Sequence, residues 1–145
     1  MAVTFTNNWK NILDKLESVL ETEFKGALPV YKGNDIPKGI NQALQLIPTG
    51  STLSDYSVTS ETREFSIQVR FIFNEANVNE TALDHILRQV SRIEALIHDN
   101  VAMTLSDSSS AFNCRFESTE LNADEESGVY VVLWDYKCQH LGNTG

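Results

Sequence analysis

Apolar residues recur along this chain in two rhythms and one continuous run. Trp9, Ile12, Leu13, Leu16, Val19, Leu20 and Phe24 follow an i, i+3, i+4, i+7 spacing, with Lys10, Asp14, Lys15, Glu17, Ser18 and Glu21 between them. That pattern predicts an amphipathic helix. Thr6, Asn7 or Asn8 can cap its start, Gly26 suits a left-handed exit, and Pro29 lies shortly beyond. A second helix is predicted from Leu83, Ile86, Leu87, Val90, Ile93, Leu96 and Ile97. There Thr81 and Asp84 form a weak capping box, His98 falls in the last turn and Asn100 suits a left-handed end. Between the helices, Phe65, Ile67, Val69, Phe71 and Phe73 alternate with Glu64, Ser66, Gln68 and Arg70. A period of two over ten residues is a long, half-buried strand.

Other elements are weaker. The three prolines, Pro29, Pro37 and Pro48, all lie between residues 27 and 61, around short strands expected near 28 to 31 and 43 to 47. Another strand is expected near Val101 to Leu105, followed by a polar, flexible connection from Ser106 to Ser110. AFNCRFESTEL, the acidic turn ADEESG and VYVVLWDYKCQ read as a closing hairpin. Phe112, Cys114 and Phe116 share parity with Tyr130, Val132, Trp134, Tyr136 and Cys138, so even residues should oppose even ones. Pairing Phe116 with Tyr136 would set Glu117 against Asp135, a like-charge penalty. A register slipped by two, with Arg115 against Asp135 or Glu117 against Lys137, avoids it.

The run from Val129 to Trp134 breaks the alternation that a strand with one wet face should show. The even residues belong to the main core, so Val129, Val131 and Leu133 need a second cover, joined by Leu121 and by Ile72 of the long strand. One helix could pack on each side of the sheet. Alternatively, both helices could share one side and a second subunit could cover the other. The hairpin-rich order favours the second solution, and these five residues are the candidate subunit interface. A single chain with a two-sided core is the competing solution. The fold class expected is α+β: a mainly antiparallel sheet with two amphipathic helices packed on it and a C-terminal β-hairpin, in one domain over residues 1–145.

Composition narrows the function. The 145 residues are enough for one core, and 21% charged with 41% hydrophobic residues is a globular balance. A formal net charge of −9 argues against unaided binding to phosphate backbones. No stretch reaches the ~18 apolar residues of a membrane helix, and the start MAVTFTNNWK has no secretory pattern, so a cytosolic protein with no membrane partner is expected. Asn79-Glu80-Thr81 is then a glycosylation match without context.

No motif points to catalysis, and neither a cofactor nor a metal is expected. His85, His98 and His140 lack ligand spacing with each other and with Cys114 and Cys138, which are expected to be two small buried thiols. Asp124, Glu125 and Glu126 sit in a hairpin turn with no pocket to raise a pKa. GNDIPKG lacks the phosphate-loop order, and the serines of 106 to 110 lack an elbow motif. Arg88 and Arg92 fall on a polar helix face, Arg88 within reach of Asp84.

In its order of elements the chain resembles the tail terminator, or tail-completion, proteins of tailed bacteriophages. The stretches that carry the likeness are WKNILDKLESVLETEF, REFSIQVRFIFNEANVNETALDHILRQVSRIEALIHDN and GVYVVLWDYK, about half of the chain. The resemblance implies a homo-hexameric ring at the head-proximal end of the tail, in the neck of the virion, assembled in the host cytoplasm. Such a ring halts tube polymerisation and joins the tail to the head. It also implies two protein partners, the tail tube protein and the head–tail connector, and a lumen that DNA crosses without specific binding. Acidity suits such a lumen, because fixed cations would retain phosphate. Loops at 32 to 39 and 48 to 61 are the expected contacts with tube or connector. Another head–tail joining or tail-tube component is the alternative reading, with a small enzyme or binding module behind it.

Overall fold

The computed structural model describes residues 7–25, 28–33, 42–57, 60–74, 80–124 and 129–143. Its elements run α1 (Asn8–Phe24), β1 (Val30–Lys32), β2 (Gln42–Tyr56), β3 (Ser60–Asn74), α2 (Glu80–Asp99), β4 (Met103–Thr104), β5 (Ser110–Asp124) and β6 (Val129–Asn143). The fold is α+β. All six strands form one sheet in the order β1-β2-β3-β6-β5-β4, antiparallel except for the β1–β2 pair.

Both helices lie on one face. Ile12, Leu16, Leu20 and Phe24 of α1 and Ile86, Val90, Ile93 and Ile97 of α2 are buried in one cluster. Against them stand Phe65, Ile67, Val69 and Phe71 of β3 and Val132, Trp134, Tyr136 and Cys138 of β6. Register explains the shared face. Phe71 opposes Val132, Val69 opposes Trp134 and Ile67 opposes Tyr136, and directly opposed residues project to the same side. Arg92 joins the helices to each other: its Nε donates to Glu23 Oε1 at 3.0 Å and its guanidinium lies 4.6 Å from the centre of the Phe24 ring. It is therefore a bridge and not the freely solvated side chain expected; Arg88 does remain exposed, 3.9 Å from Asp84.

The helix ends differ in detail from expectation. Asn7 caps α1 by accepting from the Lys10 amide, whereas the left-handed exit falls on Lys25, whose amide donates to Glu21 O. Gly26 lies outside the described residues. Helix α2 already begins at Glu80, so Thr81 is inside it and is no cap. Asn100 ends that helix by donating from its side chain to Leu96 O, not by a left-handed turn.

Two strand expectations change. The strand expected at 43 to 47 extends to Tyr56, so most of the expected 48 to 61 loop is instead the distal half of a hairpin. The closing hairpin pairs Phe116 with Tyr136, the register that like charge disfavours. A bulge after Phe116 removes the penalty by bringing Ser118, not Glu117, opposite Asp135. A further bulge between Phe112 and Arg115 shifts the ladder again.

Candidate assembly surface

Register assigns the helix-free face. Its ranks run across β2, β3, β6 and β5: Ala43, Ile72, Val131 and Asn122; then Gln45, Arg70, Leu133 and Glu120; then Ile47, Gln68, Asp135 and Ser118. Ile72, Val131 and Leu133 thus stand together, away from both helices, and all three are half-buried. Val129 opposes Asn74 at the end of this face, and its side chain lies outside the described residues. Leu121 is different. It opposes Val132, so the bulge at Glu117 has turned it to the helix side, where it is 46% exposed. The same bulges place Phe112, expected in the core, opposite Gln139 on the helix-free face.

The apolar ranks give way to charge. Arg115 donates to Glu117 Oε2 at 3.0 Å and to Glu64 Oε2 at 3.3 Å, and Lys137 Nζ lies 3.4 Å from Glu117 Oε1. The two cations lower the pKa of Glu117, Arg115 first by its hydrogen bond. Arg70 donates to Gln68 on the same face. A groove of about 140 Å³ lies on this face among Thr49, Gln68, Ser118, Glu120, Leu133 and Asp135. Small-molecule sites usually measure ~300–1,000 Å³, so it suits a side chain better than a metabolite.

Both sheet edges are largely open. Strand β1 covers β2 only at residues 44–46, so residues 47–56 have no outer strand among the described residues. Strand β4 covers β5 only at Ser110 and Ala111, with one more bond from Cys114 N to Val101 O. Residues 115–124 are likewise open among the described residues. Each open edge offers unpaired N–H and C=O groups that another strand can meet. The two hairpins point to opposite ends of the sheet, since Ser60 opposes Asn143 and Asn74 opposes Val129. On the distal part of β2, Leu53 and Tyr56 are 44% and 65% exposed.

Chemistry is sparse elsewhere. His85 lies 6.0 Å from the Phe73 ring and is exposed, as is His98; neither joins a polar cluster among the described residues. No group of three or more His, Cys, Asp or Glu side chains among them could hold a metal. Cys114 and Cys138 are free and buried. The Ser106 to Ser110 connection is more ordered than its composition suggests. Ser109 donates its hydroxyl and amide to Asp107 Oδ1, and His140 Nε2 lies 2.9 Å from Ser109 Oγ. Because the serine proton goes to the carboxylate, the imidazole must donate, which requires its Nε2–H form. This order is unlike a hydrolase relay, where the carboxylate orients the imidazole and the serine gives its proton to it. It is a clamp from loop to β6. Burial lowers the pKa of His140. Sequence reasoning missed the histidine of this clamp, because His140 is 31 residues from Ser109 and only strand pairing brings it near.

Comparison with known proteins yields little. No protein-family model matches the chain. No curated protein matches it. Among solved structures, a chain from the virion of a native gene transfer agent particle aligns over 88% of this chain and 84% of its own length, with a TM-score of 0.48 and 14% identity.

Proposed function

We propose that this chain is a structural virion assembly protein, the tail terminator subunit of a tailed phage or phage-like particle, and that it works as a homo-hexameric ring. The observation that carries the reading is the sheet: among the described residues, two edges are open over about ten residues each and the helices lie on one face. Different edges meeting head to tail form a heterologous interface, and such an interface generates a ring when its rotation closes. The observed order of helix, three strands, helix and three strands agrees with the resemblance to tail terminators.

In this role Ile72, Val131 and Leu133, with Val129 at the end of their face, are the candidate contacts between subunits. Leu121, on the helix side, is a candidate for a separate contact. The exposed β2–β3 hairpin suits the tail tube protein or the head–tail connector. A lumen lined by an acidic protein lets DNA pass without fixed counter-charges that would retain it. The role requires binding and geometry, not catalysis, and the place of action is the neck of the virion.

Two measurements test this reading. Native mass spectrometry of the purified chain, alone and with tail tubes, should show a closed species of six times 16.3 kDa in at least one condition. Leu133→Lys combined with Val131→Lys should abolish that species while leaving the circular dichroism spectrum unchanged. A monomer in both conditions, or a ring indifferent to the paired lysines, would overturn the reading or the assigned face respectively.

A further inference from the structure

The bulge between Phe112 and Arg115 has a chemical consequence. Phe112 opposes Gln139 and Arg115 opposes Lys137, which leaves Asn113 and Cys114 facing the single residue Cys138. Asn113 takes a left-handed φ of 55°, a conformation asparagine tolerates better than most residues, and it points outward. Cys114 turns inward, 1% exposed, beside Cys138 at 0%. The two thiols are in side-chain hydrogen-bond contact, which sets the sulfurs side by side as a disulfide requires.

We propose that Cys114 and Cys138 are an oxidisable pair that closes into an intramolecular cross-strand disulfide when the folded protein meets a low-molecular-weight disulfide. The two thiols are not equivalent. A hydrogen bond with Cys138 lowers the pKa of Cys114, whereas that same contact and burial push Cys138 up. Cys114 also lies on β5 beside the thinly covered edge, whereas Cys138 lies on the inner strand β6, so Cys114 is the attacking sulfur and Cys138 the resolving one. Its thiolate attacks one sulfur of the oxidant, the oxidant's S–S bond breaks, and one small thiolate leaves. Cys138 then gives up its proton and attacks Cys114 Sγ, expelling the second small thiolate. The protein loses two hydrogens, and one small disulfide becomes two small thiols.

Access comes through the edge. Cys114 lies on β5, inside the bulge between Phe112 and Arg115, and its outer cover is one hydrogen bond to Val101 plus the two-residue β4. Opening this short cover is the route by which a small oxidant reaches the attacking thiol, whose side chain belongs to the buried core. Once formed, the bond ties the edge strand to β6 and holds the bulge. A reducing cytoplasm keeps such a pair as thiols, and release of a particle would bring it to oxidants. That occasion rests on the virion reading, whereas the chemistry does not.

The test uses the full chain and oxidised glutathione. After incubation, denaturation and alkylation, the intact mass should be two hydrogens below that of the reduced protein, with neither cysteine alkylated, and digestion should yield a peptide joining Cys114 to Cys138. The oxidised form should have the higher Tm. Cys138→Ser should stop at a single glutathione adduct on Cys114, and Cys114→Ser should react far more slowly. The wild-type measurement stands even if a serine variant fails to fold. Two alkylated cysteines after prolonged exposure, or a bond joining two chains, would overturn the proposal. A chain that forms the bond but is monomeric both alone and with tail tubes would refute the ring and leave this inference intact.

Discussion

Strand β6 belongs to two environments at once. Its even residues from Val132 to Cys138 are no more than 1% exposed, under the helices, whereas the odd residues between them are half-buried on the other face. The first set is sealed by the chain's own helices and makes the fold. The second set, with Leu133 beside Arg70 and Asp135 beside Gln68, is mixed in polarity and has no helix over it. A side chain sealed within the chain contributes to stability at any concentration. One covered by a second copy contributes only through association.

Substitutions on the two faces should therefore separate stability from assembly. The largest loss is expected for Trp134→Ala: about 3–5 kcal/mol in urea denaturation, through lost packing in the buried core. The indole also donates to Glu94 Oε1 at 3.0 Å, and Thr119 donates to the same oxygen at 2.8 Å. Glu94→Ala should accordingly cost about 1.5–2 kcal/mol, measured the same way, because two donors lose a charged acceptor. On the other face, Leu133→Ala should cost only about 1 kcal/mol, since the side chain is half-buried to begin with. Equal losses at Trp134 and Leu133 would break the contrast between the faces.

Two titrations sharpen it further. The pKa of His140 is lowered in the fold, chiefly by burial, so the unfolded chain binds the proton more readily. Its contribution to stability is complete above the ordinary histidine pKa of about 6.5 and is lost as pH falls through the lower folded value. Thermal melts should show this slope, and His140→Asn should flatten it. The smallest effect belongs to Asp14, whose pKa is lowered by hydrogen bonds from Lys10 and then Lys32. It stabilises above its unfolded pKa and loses that effect as pH falls through the folded one. The site is exposed, so Asp14→Asn should change stability by at most ~0.5 kcal/mol in denaturant titration.

Both helices, the long central strand and the closing hairpin were legible in the sequence because each carries a strong period that its own packing then satisfies. Ile12, Leu16 and Leu20 recur on one helical face, and Phe65 to Phe71 alternate, so burial follows from local geometry. The extension of β2 to Tyr56 was not legible. Residues 48 to 56 are all exposed, and an exposed arm has no apolar rhythm to betray it. Leu121 and Phe112 were assigned to the wrong faces for another reason. A bulge inserts one residue, and one residue inverts every later side chain on that strand.

What the sequence determined by itself was the inventory: two amphipathic helices, alternating strands, an acidic surface and no motif for catalysis. The placement of both helices on one face, which the hairpin-rich order favoured, was borne out; tertiary structure alone decided that the sheet keeps two open edges among the described residues, and that Cys114 meets Cys138 and Ser109 meets His140. The physical reason is separation along the chain. Periodicity reports what a residue's near neighbours require, whereas open edges, bulges and contacts between distant residues follow from the strand pairing of the whole sheet.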